Sequence, residues 1–223
     1  MTFQRARRPE QVQARRAAIL EVASAMLAER RVADISLREL SDRVGLAKSN
    51  VLRYFDSREA IFLEVLDTTW RAWLDGVDVE LRDLRTGGTA AYAREEAVAR
   101  TIAASLTRQP LLCELMSAMA AVLERNISQE SARVFKRGAV DNTARLAALV
   151  ARELPALDEE RSTHFAHAVF VLVAGLWPYA NPTAAVATVS AEMGLPHGRD
   201  LFANGLSDGF AYHLIGLTAA PGR

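Results

Sequence analysis

Apolar residues recur at helical spacing along almost the whole chain, and no run shows the strict alternation that a half-buried strand requires. A first helix is predicted over 10–30, with Ile19, Val22 and Met26 on one stripe, Leu20, Ala23 and Leu27 on its neighbour, and Pro9 near its start. A second begins at Ser36, where Ser36 and Glu39 form a capping box and Leu37, Leu40 and Val44 make one apolar stripe. Gly45 sits where a left-handed residue ends a helix cheaply, and a new pattern resumes with Val51 and Phe55. Asp56 or Ser57 should cap a long fourth helix carrying Ile61, Phe62, Val65, Trp73, Val77 and Leu81, broken at Gly87-Gly88. Further helices are predicted over about 90–106, 110–125, 129–154, 158–177 and 199–217, with Pro110 in a first turn and Pro155 and Pro178 as stops. Residues 181–198, with Pro182, Gly194, Pro196 and Gly198, read as a looser connection. The fold class is all-α.

Within 36–55 two short helices meet at a tight turn. The second places Val51, Leu52 and Phe55 inward, leaving Lys48, Ser49, Asn50, Arg53 and Tyr54 on or beside the outer face. Lys and Arg attract phosphates, Asn can pair with an adenine edge, and Ser suits either kind of base-edge group. The competing reading is a solvated face on an ordinary helical hairpin, since charged outer faces are common on surface helices.

The segments Ile35-Ser36-Leu37-Arg38-Glu39-Leu40, then Val44-Gly45-Leu46-Ala47-Lys48-Ser49-Asn50-Val51-Leu52-Arg53-Tyr54-Phe55, then Ser57-Arg58-Glu59-Ala60-Ile61 resemble the N-terminal domain of TetR-family transcriptional repressors. The resemblance covers roughly residues 10–62; beyond that it rests on helical length and layout. It implies an N-terminal three-helix bundle with a helix-turn-helix over 1–56, and a larger C-terminal helical regulatory and dimerisation domain over 57–223. Ser36, Arg38, Lys48, Ser49, Asn50, Arg53, Tyr54 and Arg58 become the candidate DNA contacts, with Lys48, Tyr54 and Arg58 at family positions associated with the DNA backbone. Ala47 stands where many members have a capping Ser, Ser49 and Asn50 where Gly and Thr are frequent, and Leu52 where a Tyr is common, so the contact set is altered.

Formal net charge is zero, but residues 1–56 hold 11 Lys+Arg against 7 Asp+Glu, so the DNA end is net positive at +4 and the remainder net negative. Arg5, Arg7, Arg8, Arg15 and Arg16 cluster at its start and read either as an arm touching DNA or as a solvated tail. A single cysteine, Cys113, excludes an intrachain disulfide and points to a reducing, cytoplasmic setting. The longest apolar run, 168–177, is shorter than the ~20 residues of a bilayer span, so no membrane segment is expected.

Residues 165–177 are apolar nearly all round, and Gly205 and Gly209 offer a surface for close helix approach. Phe165, Val169, Leu172, Leu176, Phe202, Leu206 and Phe210 are therefore candidates for a dimer interface, the alternative being burial within one subunit. Trp70, Trp73, Cys113, Met116, Met119, His167 and Phe170 are candidate lining for an effector pocket, which the resemblance implies and no motif locates. Glu160, His164 and His167 share a helix face, but lack the spacing of a specific zinc site; no metal or cofactor is expected. No nucleophile elbow, phosphate loop or dinucleotide fingerprint appears, so the chain is not read as an enzyme. The expected function is a homodimeric DNA-binding regulator, a repressor released from a near-palindromic operator by a small molecule. The alternatives are an all-helical interaction module or an enzyme that does not read DNA.

Overall fold

The computed structural model describes residues 9–84 and 90–220, which carry ten α-helices and no strand. The order is α1 Pro9–Glu29, a 3-10 turn Val32–Asp34, α2 Leu37–Val44, α3 Lys48–Val51, α4 Arg58–Arg82, α5 Ala93–Thr107, α6 Pro110–Ala118 with a π-helical extension Met119–Leu123, α7 Gln129–Glu153, α8 Glu159–Ala180, α9 Ala184–Glu192 and α10 Gly198–Ala219. By packing the chain forms two compact units: one runs to Thr68 and takes in Ala118–Lys136, the other holds Thr69–Ser117 and everything from Arg137. The Gly87-Gly88 break expected after α4 lies outside the described residues.

In the first unit α1 buries Ile19, Ala23, Met26 and Leu27, a single stripe drawn from both expected ones. Ser36 caps α2 by accepting the Glu39 amide at 3.2 Å, and Gly45 ends it at φ 73°. Leu40, Val51, Phe55, Ile61 and Phe62 close the core beneath the hairpin. Each such buried side chain contributes about 1.5–3 kcal/mol, which holds helices too short to be stable alone. Leu52, expected inward, is 39% exposed: α3 ends at Val51, and the chain turns before the helical period can bring the next residue onto the core face. Ser57, not Asp56, caps α4, accepting the Ala60 amide at 3.1 Å.

In the second unit α10 packs on both α5 and α8. Gly205 and Gly209 face Leu176 and Leu172 of the same chain, and an added Cβ at either would lie 3.2 Å from a leucine methyl. Phe165 meets Phe210 edge-on at 5.8 Å, and Trp177 meets Phe202 at 5.1 Å. The small-residue surface expected between subunits is thus filled inside one chain. Phe165, Val169, Phe202, Leu206 and Phe210 are buried in this unit, while Leu172 and Leu176 are half-buried against the two glycines.

Two expectations for the C-terminal helices need correction. Pro178 does not stop α8 but sits within its last turn. A proline there deprives the carbonyl four residues earlier of its amide donor, and the Ser117 hydroxyl donates to that carbonyl, Ala174 O, at 3.1 Å. The supposed loose connection contains α9, capped by Thr183, with none of its residues buried. Apolar periodicity reports a helix through its buried face, and α9 has none. α8 is also the one described helix long and apolar enough in composition to cross a membrane, and it buries Phe165, Val169 and Val173 within its own unit.

Candidate nucleic-acid interface

The hairpin separates its cations into two groups. Arg16, Arg30, Arg43 and Arg58 are engaged by protein: Arg30 pairs with Glu39, Arg43 with Glu29 at 3.2 Å, Arg16 with Glu64, and Arg58 with Glu59 at 2.7 Å. Arg38, Lys48 and Arg53 are exposed and have no ion-pair partner among the described residues. These three remain available for phosphates, while the first group fixes the scaffold beneath them. The Arg30–Glu39 pair is reciprocal: the hydrogen bond raises the Arg30 pKa and lowers that of Glu39. The Ser36 amide also bonds Glu39, completing the capping box.

Ser49 and Asn50 are exposed beside Lys48, so the polar tip of α3 is solvent-facing as the sequence predicted. Ala47 offers no side-chain cap to α3. Ser36 is exposed and Tyr54 half-buried at the far end of the segment. Arg58, an expected DNA contact, is held by the protein itself. Its Nη1 donates to the Ile35 carbonyl at 2.6 Å and its Nε to Glu59 at 3.0 Å, so it braces the entry to α2 rather than projecting outward.

A groove of about 540 Å³ lies between α1 and Tyr54, lined by Gln11, Ala14, Arg15, Ala18 and Tyr54. Its exposed Arg15 adds a fourth cation without an ion-pair partner among the described residues, whereas Arg5, Arg7 and Arg8 lie outside them. Asp56 binds elsewhere in the same unit: the Ser128 amide and the Ser131 hydroxyl each donate to its Oδ2 at 2.9 Å. Burial would push the Asp56 carboxyl up, but these bonds outweigh it and lower its pKa. A sequence separation of 72 residues left no local signal for this contact.

The family model described as bacterial regulatory proteins, tetR family, matches residues 19–65, and that of the tetracyclin repressor-like C-terminal domain matches 67–221. The chain belongs to the TetR family. It is similar to the HTH-type transcriptional repressor KstR2 of Mycobacterium tuberculosis, 34% identical over 74 residues, 33% of this chain and 35% of that repressor. KstR2 of Rhodococcus jostii is 29% identical over 87 residues, 39% of this chain and 41% of the repressor. The chain thus matches these curated relatives over well under half their length. Among solved structures, RolR in complex with the ligand resorcinol superposes with a TM-score of 0.57 at 16% identity, over 96% of this chain and 97% of RolR. A TetR-family regulator from Mesorhizobium loti gives 0.52 at 15% identity, over 91% and 96%. At these identities the likeness establishes the fold: an N-terminal helix-turn-helix followed by a larger helical domain.

In this TetR-family chain the expected effector-pocket residues fall into three groups. Trp70, Trp73, Cys113 and Met116 are buried, and Met119 and Phe170 half-buried, whereas His167 is exposed on α8 and does not line an interior. Trp73 donates to Ser105 Oγ at 2.9 Å. Trp70 stacks on Phe170 at 5.7 Å, and its buried indole N–H finds no acceptor among the described residues. Burial pushes the Cys113 thiol up to about 12, so it stays protonated and serves as packing. His164 stacks on His213 at 5.1 Å, and no metal-binding cluster of three or more ligands occurs among the described residues.

Proposed function

We propose that this chain is a DNA-binding transcriptional repressor acting in the cytoplasm as a homodimer, and that a small molecule binding its C-terminal unit releases it from a near-palindromic operator. The observation that carries the reading is the exposed set Arg38, Lys48 and Arg53 around Ser49 and Asn50, without ion-pair partners among the described residues, while the neighbouring arginines are tied into the scaffold. The curated relatives are named as HTH-type repressors, and their similarity supports the same direction of control.

The effector reading is supported by the fold-level likeness to RolR, whose structure holds resorcinol, and by the unsatisfied Trp70 indole. A buried donor without an acceptor costs about 1–3 kcal/mol, and a bound molecule with a hydrogen-bond acceptor would remove that cost. α4 is one unbroken helix from Arg58 to Arg82, which gives a covalent route from effector to hairpin. Because a ligand shifts an equilibrium only through differential affinity, the effector must favour the DNA-free state.

The test is selection of bound duplexes from random DNA, followed by affinity measurements across a salt series. An enriched near-palindrome is expected, with log affinity falling by about 0.9 per decade of salt for each phosphate neutralised. Absence of enrichment together with salt-independent association would overturn the proposal in favour of an interaction module.

A further inference from the structure

Arg15 and Arg16 are adjacent in sequence, yet Arg15 is exposed without an ion-pair partner among the described residues, while Arg16 reaches into the first unit. One arm of the Arg16 guanidinium donates to the Tyr54 carbonyl, the other to the Glu64 carboxylate of α4, and its plane covers the Phe55 ring with Cζ 4.2 Å from the centroid. The segment it grips is weakly held by itself. α3 has four residues and no side-chain cap at Ala47, and it leaves through turns in which Tyr54 and Phe55 donate back to Val51 at 2.9 and 3.2 Å. The Tyr54 carbonyl lies at a helix-like end, where the last acceptors must find donors outside the segment.

We infer that Arg16 is a positioning residue that fixes the pose of the DNA-reading segment 48–55, not a DNA contact. The fork of a guanidinium is required for this geometry: it holds a carbonyl and a carboxylate in two directions while stacking on an aromatic face. A lysine ammonium supplies a point charge and can satisfy one of these at a time. The arrangement links α1, the end of the reading segment and α4 through one side chain, so the outward angle of Lys48, Ser49 and Asn50 depends on it.

This inference rests on the DNA-binding reading above, and its test has one arm that needs no operator. Amide hydrogen exchange is measured over residues 48–55 in the wild type, Arg16→Lys, Arg16→Gln and Glu64→Gln, with the melting temperature of each. Faster exchange by about tenfold at 48–55, with the α1 and α4 cores unchanged, is expected for both Arg16 variants and in weaker form for Glu64→Gln. Unchanged protection at 48–55 in Arg16→Lys overturns the inference whatever the fate of the operator. If Arg16→Gln does not fold, Arg16→Lys and Glu64→Gln still decide the question.

The second arm uses the selected operator and random duplex. A positioning role predicts that Arg16→Lys, which keeps the charge, loses about tenfold in operator affinity with random-DNA affinity and salt slope unchanged. A phosphate contact predicts the opposite: lysine restores binding, and glutamine weakens all sequences alike while lowering the slope by about one. A wild-type chain that selects no sequence defeats the DNA reading, and the exchange result then still settles the role of Arg16 on its own.

Discussion

Lys48 and Asn50 are two residues apart, both exposed, and neither side chain has a hydrogen-bond or ion-pair partner among the described residues. Their chemistry separates them. An ammonium is a point charge that favours any phosphate, whereas a side-chain amide presents one donor and one acceptor and can discriminate a base edge. Asn50→Ala is therefore expected to relax preference at one operator position by about 1–3 kcal/mol while leaving random-DNA affinity alone. Lys48→Ala should weaken every sequence alike and lower the salt slope by about one, both read from binding isotherms at several salt concentrations. Equal effects on operator and random DNA from the two substitutions would show the division of roles to be wrong. Outward residues such as these were legible in the sequence because the apolar period marks what faces away from it. The opposite holds for Arg16, which reads either as part of an arm touching DNA or as part of a solvated tail, and for Arg58, which reads as a DNA contact: sequence displays a charge but not its partner, and Glu64, Ile35 and Tyr54 come to them only through folding.

α8 shows what an element can hide from its own sequence. Its apolar residues and N-terminal Asp158 predict a helix, and Pro178 predicts its end, yet the proline lies inside it. The helix continues because Ser117 reaches the carbonyl that the proline leaves without a donor. Ser117→Ala should accordingly destabilise the protein by about 1 kcal/mol, measured by denaturant unfolding. Pro178→Ala restores the missing amide, so the double variant is expected to lose less than the sum of the singles; strict additivity would dissociate the serine from the proline. α10 carries a second consequence for stability. Burial first, and the stacked His164 ring next, lower the His213 pKa below its ordinary value. The unfolded chain then takes up a proton at a higher pH than the folded one, so stability is full above about pH 6.5 and falls as the pH drops below it. The decline levels off once folded His213 also protonates. Thermal melts across this range should steepen with acid in the wild type and flatten in His213→Phe, with no difference between the two slopes counting against the account.

At the scale of the whole molecule the question is which faces remain for a second copy. Of the residues expected there, Phe165, Val169, Phe202, Leu206 and Phe210 are buried within one chain, and Gly205 and Gly209 admit Leu176 and Leu172 from the same chain. The outer faces of those two helices differ. Val171 is 66% exposed on α8 and Tyr212 74% on α10, while Gly175 and Gly216 have nothing within 4 Å of an added Cβ. Val171 and Gly175 lie one turn apart on α8, as do Tyr212 and Gly216 on α10, so each helix offers an exposed apolar side chain beside an open glycine that another helix can approach closely, and a two-fold axis could pair such faces. The proposed dimer is thus expected to use Val171 and Tyr212, and Val171→Asp with Tyr212→Asp should yield a folded monomer at micromolar concentration by light scattering, with wild-type helicity. Operator affinity should fall steeply in that variant, because each head would then bind its half-site without the gain in effective concentration that a linked second head supplies. Leu206→Ala is the contrasting change: it hollows the seam and should cost about 2–5 kcal/mol of stability before any effect on association. A Val171→Asp, Tyr212→Asp protein that remains dimeric would move the interface elsewhere, with α9 and its exposed Val186, Val189 and Met193 the next surface to substitute.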